Sequence, residues 1–448
     1  MALLRSFLSR PGPRLRRRRF LASPLLAVVL LLLAGCRQAP GPGVPPAREV
    51  SVWTLDLAPR FAPYMGDVIA AWERRHPGVQ VRWTDVPWNS VERKLLAAVF
   101  ARTAPDLVNL NPPFAANLAS KGGLLDLADI LPSAASEDYL PRVWQAGNQD
   151  GEQFAIPWYL TARVTMANRS LLRQAGYGDP PRRWQEVPAY AEAVKRRTGR
   201  YALFVTVVPD DSAELLESMV QMGVRLLDDR RRAAFNTPEG RRAFAFWTDL
   251  YRRELLPREV VSQGYRRAIE LYQAGELAQV ASGPDFLHNL RTNAPGIAAD
   301  TVPFPPLTGP KGEANVAVMN LVVPRGSERA REAVSFALFL TNAENQFRFA
   351  EEARVLPSSP EALRRLRDRW RRETPRSRED RLVQEARILS AEALDNARVL
   401  VPATPGIKRL QAIVYTNLQR AMLGQIDSDE ALARAEQEWN RYAEARWP

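Results

Sequence analysis

From residue 50 onward the chain alternates between two hydrophobic rhythms. Residues 50–55 (VSVWTL) form a short β-favouring run, and across 67–75 Val68, Ile69 and Trp72 recur on one helical face. The helical pattern halts at Pro77-Gly78, where a helix stop signal stands. Residues 79–83 alternate apolar and polar like a half-buried strand, 91–100 resume helical spacing, and 106–110 read as a third strand. Strand–helix–strand–helix–strand over about sixty residues predicts βα units feeding a largely parallel sheet.

The same alternation returns further on. Segments 201–208, 277–281 and 316–323 are strand-like. Residues 330–340 form a helix for which Ser327 is a candidate N-cap. A last helix spans 428–439, with Ala431, Leu432, Ala435 and Trp439 on one face. Residues 361–395 are a strongly charged helical stretch, expected to lie exposed over a lobe. No short-period repeat interrupts this order. With 448 residues, 46% of them hydrophobic and 25% charged, the chain is long enough to build two core-bearing lobes.

The net charge of +12 changes the picture only at the N-terminus. Residues 1–36 hold seven arginines and no acid, which leaves +5 for the rest. The remaining arginines are interleaved with Glu and Asp, the signature of solvated helical faces, so no nucleic-acid partner is expected. The apolar run 25–34 is too short to span a bilayer, which needs about 20 residues, but it fits the hydrophobic core of a signal peptide. Leu33-Ala34-Gly35-Cys36 follows it and resembles a bacterial lipobox, in which Cys36 is acylated and becomes the mature N-terminus. Arg17-Arg18-Arg19-Phe20-Leu21 also resembles a twin-arginine signal, so the export route stays open. Residues 38–47, rich in Pro and Gly, read as a tether. Cys36 is the only cysteine, so no intrachain disulfide can form. Two histidines, His76 and His288, both expected near the surface, are too few for a His/Cys metal cluster. Neither a metal nor a cofactor is expected.

Several ordered segments resemble the bacterial extracellular solute-binding family that includes maltose-binding and other sugar-binding lipoproteins. His76-Pro77-Gly78-Val79 and Ala104-Pro105-Asp106-Leu107 match its early strand entries, and LASKGGLLDLADIL (118–131) its Gly-Leu-Leu segment. The most specific match is DGEQFAIPWYLTARVTMANRS (150–170). Pro180-Pro181 with Trp184, Asn236-Thr237-Pro238-Glu239-Gly240, the 272–283 strand ending in Gly283, Leu356-Pro357 and Glu430-Ala431-Leu432 continue the order to about residue 439.

The resemblance implies an α/β, two-lobed periplasmic-binding-protein-like fold of type II, with a ligand cleft between the lobes. Residues 1–36 would be the signal peptide and 37–49 the tether. Residues 50–163 plus about 318–357 would form lobe 1, and 164–317 plus about 358–448 lobe 2. It implies a monomer that captures a sugar or sugar-like solute by lobe closure and delivers it to the membrane permease of an ABC importer. A phosphorylated polyol such as glycerol-3-phosphate, or a sensor that engages a receptor instead of a permease, are the alternatives. No Gly-x-Ser-x-Gly, His-Glu-x-x-His or phosphate-cradling Gly loop points to an enzyme.

Sugar recognition needs flat apolar faces and fixed hydrogen-bonding groups on loops that follow strands. That gives a list of candidates, each with a structural alternative. Trp53 is a stacking platform or core, and Asp56 a hydroxyl acceptor or an ordinary loop acid. Asn109 and Asn111 end the Pro-Asp strand, though Asn111 before Pro112-Pro113 also suits a turn. In the Ile-Pro-Trp-Tyr segment stand Trp158, Tyr159, Thr161 and Arg163. Tyr159 is the leading aromatic contact, and Arg163 clamps hydroxyls or an anion, or pairs with an acid near the hinge. Asp285 and Phe286 stand where relatives often carry Trp after the Gly, so Asp285 accepts hydroxyl protons or caps the next helix. Asn320 in the returning strand and Lys408, Arg409 and Gln411 in a late loop complete the set.

Overall fold

The structure is a computed structural model that describes residues 48–149, 151–209 and 211–447. Cys36, the signal segment and nearly all of the tether lie outside these residues. Strand β1 (Arg48–Leu55) pairs in parallel with β2 (Val79–Val86) and with β3 (Leu107–Leu110). Between β1 and β2 runs helix α1 (Ala62–Glu73), which buries Tyr64, Met65, Val68 and Trp72. Gly78, with φ +82°, supplies the left-handed turn that lets β2 begin beneath it. His76 is not simply exposed: its ring stacks on Trp72 at 4.1 Å, and Nδ1 lies 2.9 Å from the Trp72 carbonyl.

Strands β4 (Ile156–Thr161), β8 (Ala317–Val322) and β9 (Leu356–Pro357) complete a six-stranded sheet in the order β9-β4-β8-β3-β1-β2. Both β4 and β3 run antiparallel to β8, so β1 to β4 point the same way. A second sheet of three strands is wholly antiparallel, with β5 (Val164–Asn168) between β6 (Gln279–Ser282) and β7 (Thr301–Phe304). The parallel reading therefore holds for β1, β2 and β3, while the other three pairings of the first sheet are antiparallel.

Three further expectations are corrected. Segment 201–208 makes no strand and lies beside the entry to β6 through an isolated bridge from Tyr201 to Leu277. Its apolar residues are buried, but its backbone serves two partners: the Tyr201 and Ala202 carbonyls accept from Ala278 and Gln279, while Val207 N–H donates to Val260. The charged stretch is two helices, Pro360–Arg372 and Arg378–Ala393, separated around Pro375, which cannot continue an α-helix without a break. Ser327 is not the N-cap, which is Arg329; its hydroxyl instead accepts from Arg329 N–H and donates to Asp106 at 2.7 Å. Helix Ala330–Leu340 itself begins and ends where its periodicity places it.

Two large cores result. One gathers Val50, Trp72, Leu110, Trp158 and Phe336 around the first sheet, and the other gathers Val164, Tyr190, Trp247, Leu410 and Trp439 around the second. A smaller third cluster, including Leu160, Ala162, Val316, Val318, Leu366 and Trp370, sits where the chain crosses between them. Full burial of each such aromatic or aliphatic side chain contributes about 1.5–3 kcal/mol, which is what holds the two bodies as separately packed units. The link from β4 to β5 is only Ala162 and Arg163.

Candidate functional site

Because β1 to β4 are co-directional, the residues that follow them share one edge of the first sheet. Asp56 follows β1, Trp88 lies just beyond β2, Asn111 follows β3, and Thr161 ends β4, with neighbouring strands about 4.8 Å apart. This edge is where the chain leaves for the second sheet. Asp56 holds a left-handed backbone with φ +49°, and its Oδ2 accepts from Trp88 N–H at 2.8 Å. Asp85 fixes the same loop by accepting from Leu57 N–H, Ala58 N–H and the Thr54 hydroxyl. Trp88 therefore stands beside an exposed carboxylate with 43% of its own surface in solvent.

Asn111 caps helix Pro112–Ala119, accepting from Phe114 N–H at 3.0 Å, and its amide nitrogen has no partner among the described residues. The turn-forming role and a donor role are thus compatible. Tyr159 is nearly buried against Phe349, at 5.4 Å between rings. Burial, with the Asp85 charge in support, pushes its phenol well above the usual range. The hydroxyl makes no hydrogen bond among the described residues, so it is a neutral donor in search of an acceptor. Thr161 is exposed at the strand end. Trp53 is half-buried at the edge of the first core.

Arg163 occupies the crossing itself. Its Nη2 lies 2.6 Å from Glu217 Oε2 and its Nη1 3.3 Å from Glu214 Oε2, with about a third of the side chain exposed. Asn315, on the returning crossing, donates to the other Glu217 oxygen at 2.8 Å and accepts from Leu400 N–H. Burial works against the Arg163 charge, yet Glu217 and Glu214 hold it above the usual range. Burial pushes Glu214 up to about 7, Arg163 opposes this, and Glu217 adds to it. Tyr265, also raised by burial, donates to the Ala281 carbonyl at 2.8 Å. A small pocket of about 50 Å³ opens on Arg163, Glu214, Glu217 and Asn315. At one end of the seam between the two bodies, a pocket of about 580 Å³ is bounded by Pro113 and Asn117 on one side and by Thr404, Arg409 and Trp447 on the other. Lys408 reaches Glu92 across it at 3.6 Å, and Arg409 is exposed with no ion partner among the described residues.

Other candidates are structural in this arrangement. Trp158 is fully buried and stacked on Phe349 at 4.9 Å. Asn109 is buried mid-strand and donates to the Asn320 carbonyl, tying β3 to β8; Asn320 is buried beside it. Phe286 packs into the second core near Tyr272. Gln411 is buried and donates to the Ser212 carbonyl, which Tyr415 also engages. Asp285 stands at the cap position of helix Phe286–Asn293 without making a cap bond, and pairs with Arg354 at 3.3 Å instead. Sequence reasoning missed Trp88, Glu214, Glu217 and Asn315. Glu214 and Glu217 carried one signal: at i and i+3 on one helix, two acids share a face.

Two α/β bodies joined by short crossings, with polar groups gathered at the joined sheet edges, define a two-lobed binding protein of the periplasmic type. Residues 56–347 match the bacterial extracellular solute-binding protein family, and the chain belongs to it. Over 353 residues it is 27% identical to an uncharacterised lipoprotein encoded in the oleD 5′ region of Streptomyces antibioticus, covering 76% of each chain. It resembles the crystal structure of a protein from Synechococcus sp. MITs9220, provisionally assigned as an oligosaccharide periplasmic-binding protein. That likeness has 67% identity and a TM-score of 0.82, over 89% of this chain and 100% of the other. The cyclic alpha-maltosyl-1,6-maltose binding protein of Arthrobacter globiformis shares the fold at 20% identity, with a TM-score of 0.73 over 89% of this chain and 99% of that one. The family is one of binding proteins, and no helix among the described residues is long and apolar enough to cross a membrane.

Proposed function

We propose that this solute-binding protein captures a neutral sugar or sugar-like polyol for an ABC importer. The observation that carries the choice of cargo is the state of Arg163. Both ends of its guanidinium are committed to Glu217 and Glu214, so the cation nearest the crossing brings no free positive charge to a phosphate. What stays open on the first sheet suits hydroxyl groups: the Asp56 carboxylate, the Tyr159 phenol, the Asn111 amide and the Trp88 ring. The likeness to the Synechococcus protein supports the same reading.

In this reading residues 50–163 with about 318–357, and 164–317 with about 358–448, move as two bodies about the 161–164 and 314–318 crossings. Solute touching both favours the closed form. Residues 1–36 direct export, and acylated Cys36 holds the protein at the membrane through the 37–49 tether. The lipobox-like motif supports this, as does the likeness to a lipoprotein. Replacement of Cys36 by Ala should release the protein from the membrane fraction; retention there would defeat the anchoring claim.

Cargo is tested by thermal shift across mono- and oligosaccharides, polyols and phosphorylated polyols, with inorganic phosphate as the reference for the charged group. A neutral sugar at 100 times its Kd should add about 2.7 kcal/mol of stability. Response to a phosphorylated polyol beyond that of phosphate, with every neutral sugar silent, would replace the sugar reading.

A further inference from the structure

A second pocket of about 580 Å³ shares no lining residue with the Arg163 pocket. It is bounded by the Pro284–Asp285 turn, by the segment between helices Pro360–Arg372 and Arg378–Ala393, and by Arg354. Four arginines line it: Arg291, Arg354, Arg376 and Arg387. Two of its three acids are already engaged, Asp285 by Arg354 at 3.3 Å and Glu373 by Arg369 at 3.4 Å. Asp380, the third, lies in the first turn of its helix. The side chains of Arg291, Arg376 and Arg387 make no hydrogen bond or ion pair among the described residues.

Arg387 is the informative one. It is half-buried, and its Nε is shut off from solvent with no acceptor. Burial first, and then the neighbouring charge of Arg354, push its pKa below the usual arginine range, against the opposing charges of Asp285 and Glu373. A guanidinium partly stripped of water, in no ion pair among the described residues and lining one pocket with a second guanidinium, is an arrangement that an anion bound by both would satisfy. Arg354 follows Ala353, which packs on the first core, whereas Arg387 follows Ala386 of the second. An anion held by both would therefore also bridge the two bodies.

We infer that this pocket is a binding site for a small oxyanion (phosphate, sulfate or the carboxylate of an acidic sugar), held between Arg354 and Arg387. The planar forks of the two guanidinium groups suit bidentate recognition of such groups. The site is separate from the sugar-binding reading above and does not depend on it.

The test measures thermal shift of the purified protein with inorganic phosphate, sulfate, and glucuronate against glucose, all referred to chloride at equal ionic strength. Expected is a saturable rise in Tm with at least one oxyanion, weakened at least tenfold in apparent affinity by Arg387→Gln. Arg354→Gln should weaken it as well. Phosphate or sulfate acting alone would identify a free ion as the occupant, and glucuronate acting where phosphate is silent would identify an acidic sugar. No saturable response from any of them, or a response unchanged in both variants, overturns the site. Without anion, Arg387→Gln should melt no lower than the parent, which separates loss of binding from failure to fold. In oxyanion-free buffer, binding of a neutral sugar should be unchanged in Arg387→Gln, so failure here leaves the cargo reading standing.

Discussion

Arg163 and Arg387 are the same residue placed in opposite circumstances. Arg163 lies where the chain crosses between the bodies and meets two carboxylates, one of them braced by Asn315. Arg387 lines a pocket with three other arginines and forms no ion pair among the described residues. The difference teaches that burial alone does not define the role of a charged side chain. A closed ion cluster fixes local geometry and removes charge from a site, whereas an open cation leaves charge for a partner to neutralise.

That contrast can be broken most directly at Arg163. Its replacement by Ala leaves Glu214 and Glu217 without their cation and should lower unfolding stability by about 3 kcal/mol near pH 7.5. Urea denaturation should show a smaller loss at pH 5, where Glu214 is protonated and needs no cation. A loss independent of pH would mean that the arginine acts through packing instead.

Glu214 sharpens the same cluster. With its pKa raised from 4.5 to about 7, the folded chain keeps a proton that the unfolded chain releases. Its contribution to stability therefore falls as pH rises from about 4.5 to about 7, by up to about 3 kcal/mol in total, and is level above that. Glu214→Gln should flatten the pH dependence of stability within that window. An unchanged profile would place the titration elsewhere.

At Arg387 the sign reverses. Replacing it with Gln removes an unpaired, partly desolvated charge and should leave stability equal or raise it by about 1 kcal/mol in chloride buffer. A clear drop would show that the guanidinium has a partner after all. The smallest effect belongs to Glu92, whose pairing with Lys408 lies between two largely exposed side chains. Glu92→Gln should change stability by no more than about 0.5 kcal/mol, and 1 M salt should abolish even that.

Most of the first body was legible because its periodicity is local. The face of α1 and the strands around it follow from residue spacing, and Ala330–Leu340 was read residue for residue. Segment 201–208 was misread because burial of an apolar run does not by itself supply a strand partner. Site residues were harder. The rings of Trp158 and Tyr159 lie 5.2 Å apart and both pack on Phe349, and no local signal tells which ring keeps a polar outlet. Arg163 was visible as a candidate, and pairing with an acid near the hinge was one of the roles open to it. Its actual partners stand 51 and 54 residues away, so only the fold could identify them.

If solute binds at the proposed site, the loop after β1 bears on how fast and how tightly it is taken up. Asp56 is set in place by Trp88 N–H, and the loop beyond it by Asp85, before any ligand arrives. The conformational freedom that binding would otherwise have to remove was surrendered on folding. One oxygen of Asp56 is engaged by the Trp88 amide and the other remains to accept. A hydroxyl entering there meets a preorganised acceptor, and chemistry offering only acceptors meets repulsion. Under the proposed sugar-binding reading the loop would act as a filter on hydrogen-bond polarity, with the left-handed φ of Asp56 as the geometry that keeps it set.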